Sequence, residues 1–277
     1  MHKQVINIYW VRHGYSCANH AKQTGMLTRL ASHFRYDPPL TDFSIETMRQ
    51  ARPHMPWNDD TVDIFCASVL LRAIETCLYM FPSHKPVWVL PYVSESNKGL
   101  DNSPMSIPQQ IHWLNLQNPG LLKRVKWGFV SQDRAAKSKS SYPEFLQWFP
   151  QALPTLLKLN KIPWNQPVVN LVIVSHSHFL RENFTMTGKN TPSNKPWNNA
   201  VVKVMYHRRM NRQGRTVGFR RDENCPGRVI TFRPKFCKKF HPCSGLRFCG
   251  FKPPKTIRDF KRKGGGQRCI LKHELFD

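Results

Sequence analysis

Val11-Arg12-His13-Gly14-Tyr15-Ser16-Cys17-Ala18-Asn19 is the stretch from which the rest of the chain can be read. It follows Val5-Ile6-Asn7-Ile8-Tyr9-Trp10, an apolar run of strand character, so Arg12 and His13 stand at the carboxyl end of a strand. A fixed cation is thereby set beside an imidazole, a competent nucleophile near neutral pH. Gly14 lets the backbone turn tightly, and Ser16 and Asn19 offer polar groups one helical turn apart.

The same arrangement recurs downstream. Val62-Asp63-Ile64-Phe65-Cys66-Ala67 predicts a second strand and runs directly into Ser68-Val69-Leu70-Leu71-Arg72-Ala73-Ile74-Glu75-Thr76. That segment reads as a helix capped by Ser68, with Arg72 in its first turns and Glu75 an ordinary helix charge. A third strand, Val87-Trp88-Val89-Leu90, leads through Pro91-Tyr92-Val93 to Glu95. The fourth, Val168 to Val174, is a continuous apolar run of the kind buried in a parallel sheet, and it ends in Ser175-His176-Ser177-His178. Val201 to Tyr206 predicts a fifth. Strands alternating with helical stretches predict an α/β fold with a mostly parallel sheet. In such a sheet the ligand crevice lies outside the carboxyl ends of the strands. Arg12, His13, Arg72, Glu95 and His176, distant in sequence, are therefore expected at one edge, with His178 as a neighbour.

Between these strands the expectations are plainer. Residues 15 to 33 read as a helix with few apolar anchors. Asp37-Pro38-Pro39-Leu40-Thr41-Asp42 interrupts regular structure, and Thr41 or Asp42 is placed to cap a helix from Phe43 to Arg52. The stretch from Asn97 to Lys139 reads as a partly helical excursion over the sheet. Tyr142 to Leu159 has apolar residues at helical spacing, with Pro150 and Pro154 expected to bend or split it. Beyond His207 the pattern decays, apart from a short strand at Arg228 to Phe232.

These residue types suit one chemistry. A phosphate monoester carries nearly two negative charges, and two guanidiniums can hold it bidentately. Attack by an imidazole would split one difficult displacement into two. The cations Arg12 and Arg72, with His176, would disfavour protonation of His13 and stabilise the transferring phosphoryl group. A carboxylic acid such as Glu95 would protonate the leaving oxygen and later activate water. Nothing in this scheme calls for a metal or another cofactor.

Arg12-His13-Gly14-x-Ser16-x-x-Asn19 resembles the Arg-His-Gly-x-Ser/Thr-x-x-Asn motif that opens the histidine phosphatase superfamily, the phosphoglycerate-mutase-like proteins. Pro39-Leu40-Thr41 is similar to the family's Pro-Leu-Thr-x-x-Gly segment, with Ser44 in place of the glycine. Ser68, Leu70, Arg72, Ala73 and Thr76 match its Ser-x-Leu-x-Arg-Ala-x-x-Thr motif. The resemblance covers roughly residues 5 to 206. It implies a three-layer α/β sandwich with helices on both faces of the sheet. It also implies His13, Glu95 and His176 as catalytic residues, with Arg12, Arg72, His176, Asn19 and Ser16 around the phosphate. Ser177 stands where many members have glycine, so a different pocket wall is expected there. The Asn-Glu-Arg-x-Tyr-Gly segment of the cofactor-dependent mutases is absent, which disfavours glycolytic mutase activity and favours a phosphatase. The expectation is a metal-independent phosphatase acting through phospho-His13 on a phosphorylated small molecule or phosphoprotein. The alternatives are a phosphoryl-transferring mutase using the same site, and a polyanion-binding scaffold with a vestigial phosphatase domain.

Charge sets the C-terminal part of the chain apart. There are 42 Lys+Arg against 17 Asp+Glu, and from Lys203 onward 21 basic residues stand against 5 acidic ones. The chain is therefore expected to divide into a catalytic domain over 1–206 and a basic, Cys-containing extension over 207–277, partly disordered. Such an extension favours polyanions: nucleic acid or an acidic membrane surface. Its Cys225, Cys237, Cys243, Cys249 and Cys269, with His241 and His273, lack the close cysteine pairing of common zinc sites. Its phenylalanines interleave with Lys and Arg, which suits nucleic-acid contact. Cys17, Cys66 and Cys77 read as core thiols. No apolar run approaches the ~20 residues that span a bilayer, and no secretory leader pattern opens the chain. A cytoplasmic location is the expectation, with the nucleus as the alternative suggested by the basic segment.

Overall fold

The computed structural model describes residues 2–19, 36–52, 60–96, 99–130, 140–184, 200–223 and 228–231. The helix expected over 15 to 33 falls mostly outside them, as do the five C-terminal cysteines, His241, His273 and most of the basic extension. Among the described residues the strands are β1 (His2–Arg12), β2 (Ile64–Ser68), β3 (Val87–Leu90), β4 (Val125–Lys126), β5 (Val168–Ser175), β6 (Ala200–Met210), β7 (Thr216–Arg221) and β8 (Arg228–Thr231). They form one sheet in the order β4-β3-β2-β5-β1-β6-β7. β8 pairs with the first part of β6 and β7 with its second part. The five strands from β4 to β1 are mutually parallel, whereas β6 runs antiparallel to β1. The sheet is thus parallel where the site residues were expected, and it continues past residue 206 as an antiparallel edge.

Residue alternation along the strands divides the core in two, as a pleat requires. Val11, Phe65, Ala67, Val87, Val89, Val172 and Val174 face one layer. That layer is built by α1 (Asp42–Ala51), α2 (Leu71–Met80) and α3 (Ile107–Gln117), which is followed by the short α4 (Pro119–Leu122). Ile6, Ile8, Trp10, Ile64, Cys66, Ile173, Val202 and Val204 face the opposite layer, α5 (Tyr142–Leu159) and α6 (Ser177–Asn183). The three-layer α/β sandwich is therefore the fold. No helix of the described residues is long and apolar enough to cross a membrane.

Local chemistry explains where the elements begin and where the expectations needed correcting. Thr41 caps α1 by accepting from the Ser44 amide. Ser68 is not a helix cap: it is the last residue of β2, and α2 starts after Leu70 with no side-chain cap of its own. α5 runs unbroken for 18 residues through Pro150 and Pro154. Pro154 cannot donate to the Pro150 carbonyl, and the Thr216 hydroxyl does so instead at 3.1 Å. The buried row Phe145, Phe149, Leu153 and Leu156 holds the helix to the sheet. Cys66 and Cys77 are buried free thiols, whereas Cys17, buried as well, is disulfide-bonded.

Candidate active site

Strand register brings the distant motifs to one place. β5 lies between β1 and β2, with Arg12 opposite Ser175 and Val174 opposite Ala67. The residues that follow, His13 after β1 and His176 after β5, come level with Ser68 at the end of β2. The His13 amide donates to the Ser175 carbonyl at 2.9 Å, and the two imidazole centroids lie 5.0 Å apart. The Ser175 hydroxyl donates to the Val93 carbonyl at 2.8 Å, which ties the segment leading to Glu95 to the same edge.

His13 is held in one tautomer. Its Nδ1 lies 2.6 Å from the Gly14 carbonyl, which can only accept, so Nδ1 carries the proton. Nε2 receives the Arg72 Nε–H at 3.3 Å, which requires a lone pair there. Both contacts specify a neutral ring whose nucleophilic nitrogen faces a guanidinium. The turn after His13 is equally fixed. The Gly14 amide donates to Thr76 Oγ1 at 2.9 Å, and that hydroxyl donates to the Arg72 carbonyl at 2.7 Å. A Cβ on Gly14 would stand 2.3 Å from Ser44 Oγ, so close approach, not a special dihedral, demands glycine.

Arg72 is buried and gripped at its far end: Nη1 donates to the Asp101 carbonyl at 2.6 Å and Nη2 to Asn102 Oδ1 at 2.7 Å. Burial pulls its pKa down, while Glu95, Asp37 and Asp101 oppose that pull. Arg12 is buried too. Burial lowers its pKa to about 10, offset by Glu95 and deepened by Arg181 and Arg72, so it stays cationic at neutral pH. His176 is fully enclosed, with Nε2 2.6 Å from Ser68 Oγ. Burial, deepened by the cations Arg72 and Arg12, holds its pKa well below the ordinary range, and the ring is neutral. Its Nδ1 is buried with no hydrogen-bond partner among the described residues.

Glu95 is the anion of the site. It is the largest favourable charge for both Arg12 and Arg72, and its Oε1 accepts from the Ser96 and His178 amides at 3.2 Å each. Ser16 and Asn19 bond to each other: the Ser16 hydroxyl donates to Asn19 Oδ1 at 2.9 Å, and the Asn19 amide donates back at 3.3 Å.

Other residues of this arrangement carry a weak or misleading sequence signal. Ser68 falls on a family motif and reads locally as a helix cap, yet its hydroxyl serves His176. Asp101 and Asn102 lie in a short 3-10 turn, Leu100–Asn102, within a stretch of weak pattern. Glu75 is no ordinary helix charge: it is fully buried and accepts from the Leu40 amide at 2.7 Å and Trp113 Nε1 at 3.0 Å. Its spacing from Arg72 on α2 hides this, because only the packing of residues 37–41 and α3 makes that face interior. Arg181, one helical turn beyond His178, places Nη2 3.2 Å from that ring's Nε2 and adds positive charge beside Arg12.

No family model and no curated protein matches the chain. Among solved structures, it is similar to a phosphoglycerate mutase from Bacillus anthracis at 17% identity and TM-score 0.39, covering 74% of this chain and 89% of that one. An ecdysone phosphate phosphatase from Bombix mori gives 16% and 0.38, with 85% and 96% covered. An alpha-ribazole phosphatase from Shigella flexneri gives 16% and 0.33, with 78% and 96% covered. These distant overlaps accompany the resemblance; the motifs and their placement carry it. With Arg12, His13, Arg72 and His176 gathered at the carboxyl edge of a three-layer α/β sandwich, the chain resembles the histidine phosphatase superfamily, the phosphoglycerate-mutase-like proteins.

Proposed function

We propose that the protein hydrolyses a phosphate monoester through a phosphohistidine on His13. One observation supports this reading above the others: the Nδ1–H bond to the Gly14 carbonyl leaves Nε2 unprotonated and facing Arg72. As substrate enters, the Arg72 Nε–H leaves the Nε2 lone pair, Nε2 attacks phosphorus with it, and the ester oxygen leaves. Arg12 and Arg72 neutralise the non-bridging oxygens as charge spreads over them. His176 Nε2 is occupied by the Ser68 hydroxyl, and with the proton of the neutral ring at Nδ1 it offers a buried donor to a phosphate oxygen. Glu95 keeps Oε1 on two amides, and a proton taken up at Oε2 as the phosphate dianion binds beside it passes to the leaving oxygen. In the second half, Glu95 takes a proton from water, which attacks the phosphohistidine and frees inorganic phosphate. Asn19 presents its Nδ2 amide to the phosphate, since its Oδ1 is engaged by Ser16.

A panel of sugar phosphates, nucleotides, inositol phosphates and phosphopeptides, assayed for released inorganic phosphate in the presence of EDTA, tests the reading. The wild-type protein is expected to turn over at least one class, and His13→Ala none while keeping its circular dichroism spectrum. Turnover by His13→Ala, or activity that EDTA removes and added metal restores, would contradict it. Transfer of the phosphoryl group to a second substrate hydroxyl without phosphate release would identify a mutase instead.

A further inference from the structure

Asp37 is buried at 0% exposure, although it stands 35 positions before Arg72 and its sequence context marks only a structure-breaking turn. Among the described residues its carboxylate accepts from three donors. Oδ1 accepts from the Leu71 amide at 2.8 Å, and Oδ2 accepts from the Met105 amide at 3.0 Å and Gln110 Nε2 at 2.9 Å. Leu71 is the first residue of α2 and the neighbour of Arg72, so one arm of the carboxylate holds the root of that arginine. Met105 follows the turn whose Asp101 and Asn102 grip the guanidinium, so the other arm holds its far end. Gln110 closes the loop by donating its second N–H to the Val69 carbonyl at 2.6 Å.

Two features suit Asp37 to this task. Its φ of 40° lies in the left-handed region, which aspartate and asparagine tolerate better than most side chains. The α2 amino end has no side-chain cap from its own sequence, and this distant carboxylate supplies an acceptor there, where negative charge is favoured.

We propose that Asp37 is the positioning residue for Arg72. It locks the arginine's backbone to the turn that grips its guanidinium, and so aims Nε at His13 Nε2. The proposal rests on Arg72 serving the phosphate site, but it makes a separate statement about geometry. Asp37→Asn separates the two arms. The amide oxygen can still serve Leu71, while the new N–H group faces the Met105 and Gln110 donors. Leu156→Ala, on α5 behind the opposite face of the sheet, is the control for lost stability, compared at conditions where both variants are folded.

The readout is the Arg72 Nε–H cross-peak in a proton–nitrogen NMR spectrum, assigned by its loss in Arg72→Lys, together with kcat/KM for phosphate release. Asp37→Asn is expected to shift or broaden that cross-peak and to lower kcat/KM by about tenfold or more, the loss falling mainly in kcat. Leu156→Ala is expected to change neither beyond twofold. An unmoved cross-peak in Asp37→Asn, or equal effects in both variants, would overturn the positioning role. A displaced cross-peak in a protein whose wild type releases no phosphate would sustain the positioning role and refute the phosphatase reading.

Discussion

Replacing Arg72 by alanine is expected to reduce kcat/KM for a phosphate monoester by about 10³-fold or more, in the range seen when a guanidinium that stabilises phosphoryl transfer is removed. Three of the five N–H donors of Arg72 are committed to His13, Asp101 and Asn102, and each terminal nitrogen retains a second N–H for the substrate. The same side chain therefore orients the nucleophile and meets the phosphate. Arg72→Lys separates charge from shape. A lysine supplies a point charge with three donors and no planar fork, so it cannot hold the turn and face His13 together. It is expected to recover little of the loss. Steady-state kinetics on both variants, with thermal unfolding to verify folding, gives the answer; near-wild-type rates in Arg72→Lys would mean that charge alone is what the site uses.

The largest effect on stability is expected at Glu75. Glu75→Ala strips the acceptors from two donors, the Leu40 amide and Trp113 Nε1, in an interior that offers no water in exchange. Each such loss costs about 1–3 kcal/mol. For a chain of this size a kilocalorie moves Tm by about 2–4 °C, so the midpoint should fall by roughly 10 °C. Glu75→Gln keeps one acceptor and turns an N–H toward the other donor, and it should lie between wild type and alanine. Tryptophan emission should report the change at Trp113. A midpoint within a degree of wild type in both variants would return Glu75 to the status of a solvated helix charge.

Much of the fold is legible because the strands announce themselves. β5 is an apolar run broken only by Asn170, β1 ends in Arg12 and β2 in Ser68, and the segment that follows β3 carries Glu95. The carboxyl-edge rule then gathers Arg12, His13, Arg72, Glu95 and His176 without any contact being known. What sequence cannot convey is which polar groups serve others. Ser68 at a strand end looks the same as Ser68 at a helix cap. Asp37 before two prolines looks like any turn residue, since its partners at 71, 105 and 110 are set by packing alone. Two prolines in α5 predict a break because local propensity counts the missing donor. A hydroxyl on β7, 66 residues from Pro150, supplies that donor, and no pattern within the helix signals it. β6 and β7 extend beyond the expected end at 206 because alternation there is carried by arginine. Arg208 is buried and bonded to Gln4, Gly214 and Thr216, so it stands as an interior residue that composition would place outside.

The phosphoenzyme itself provides the most direct test, because the tautomer of His13 dictates its chemistry. With Nδ1 committed to the Gly14 carbonyl, phosphorus can attach only at Nε2. The protein, mixed rapidly with a phosphorus-labelled substrate and quenched in alkali, should yield an acid-labile phosphohistidine. Digestion and mass spectrometry should place it on His13, and phosphorus NMR should identify the Nε2-linked isomer, which His13→Ala lacks. An Nδ1-linked phosphohistidine, a label on another residue, or label persisting in His13→Ala would contradict the assignment of His13 Nε2 as the nucleophile.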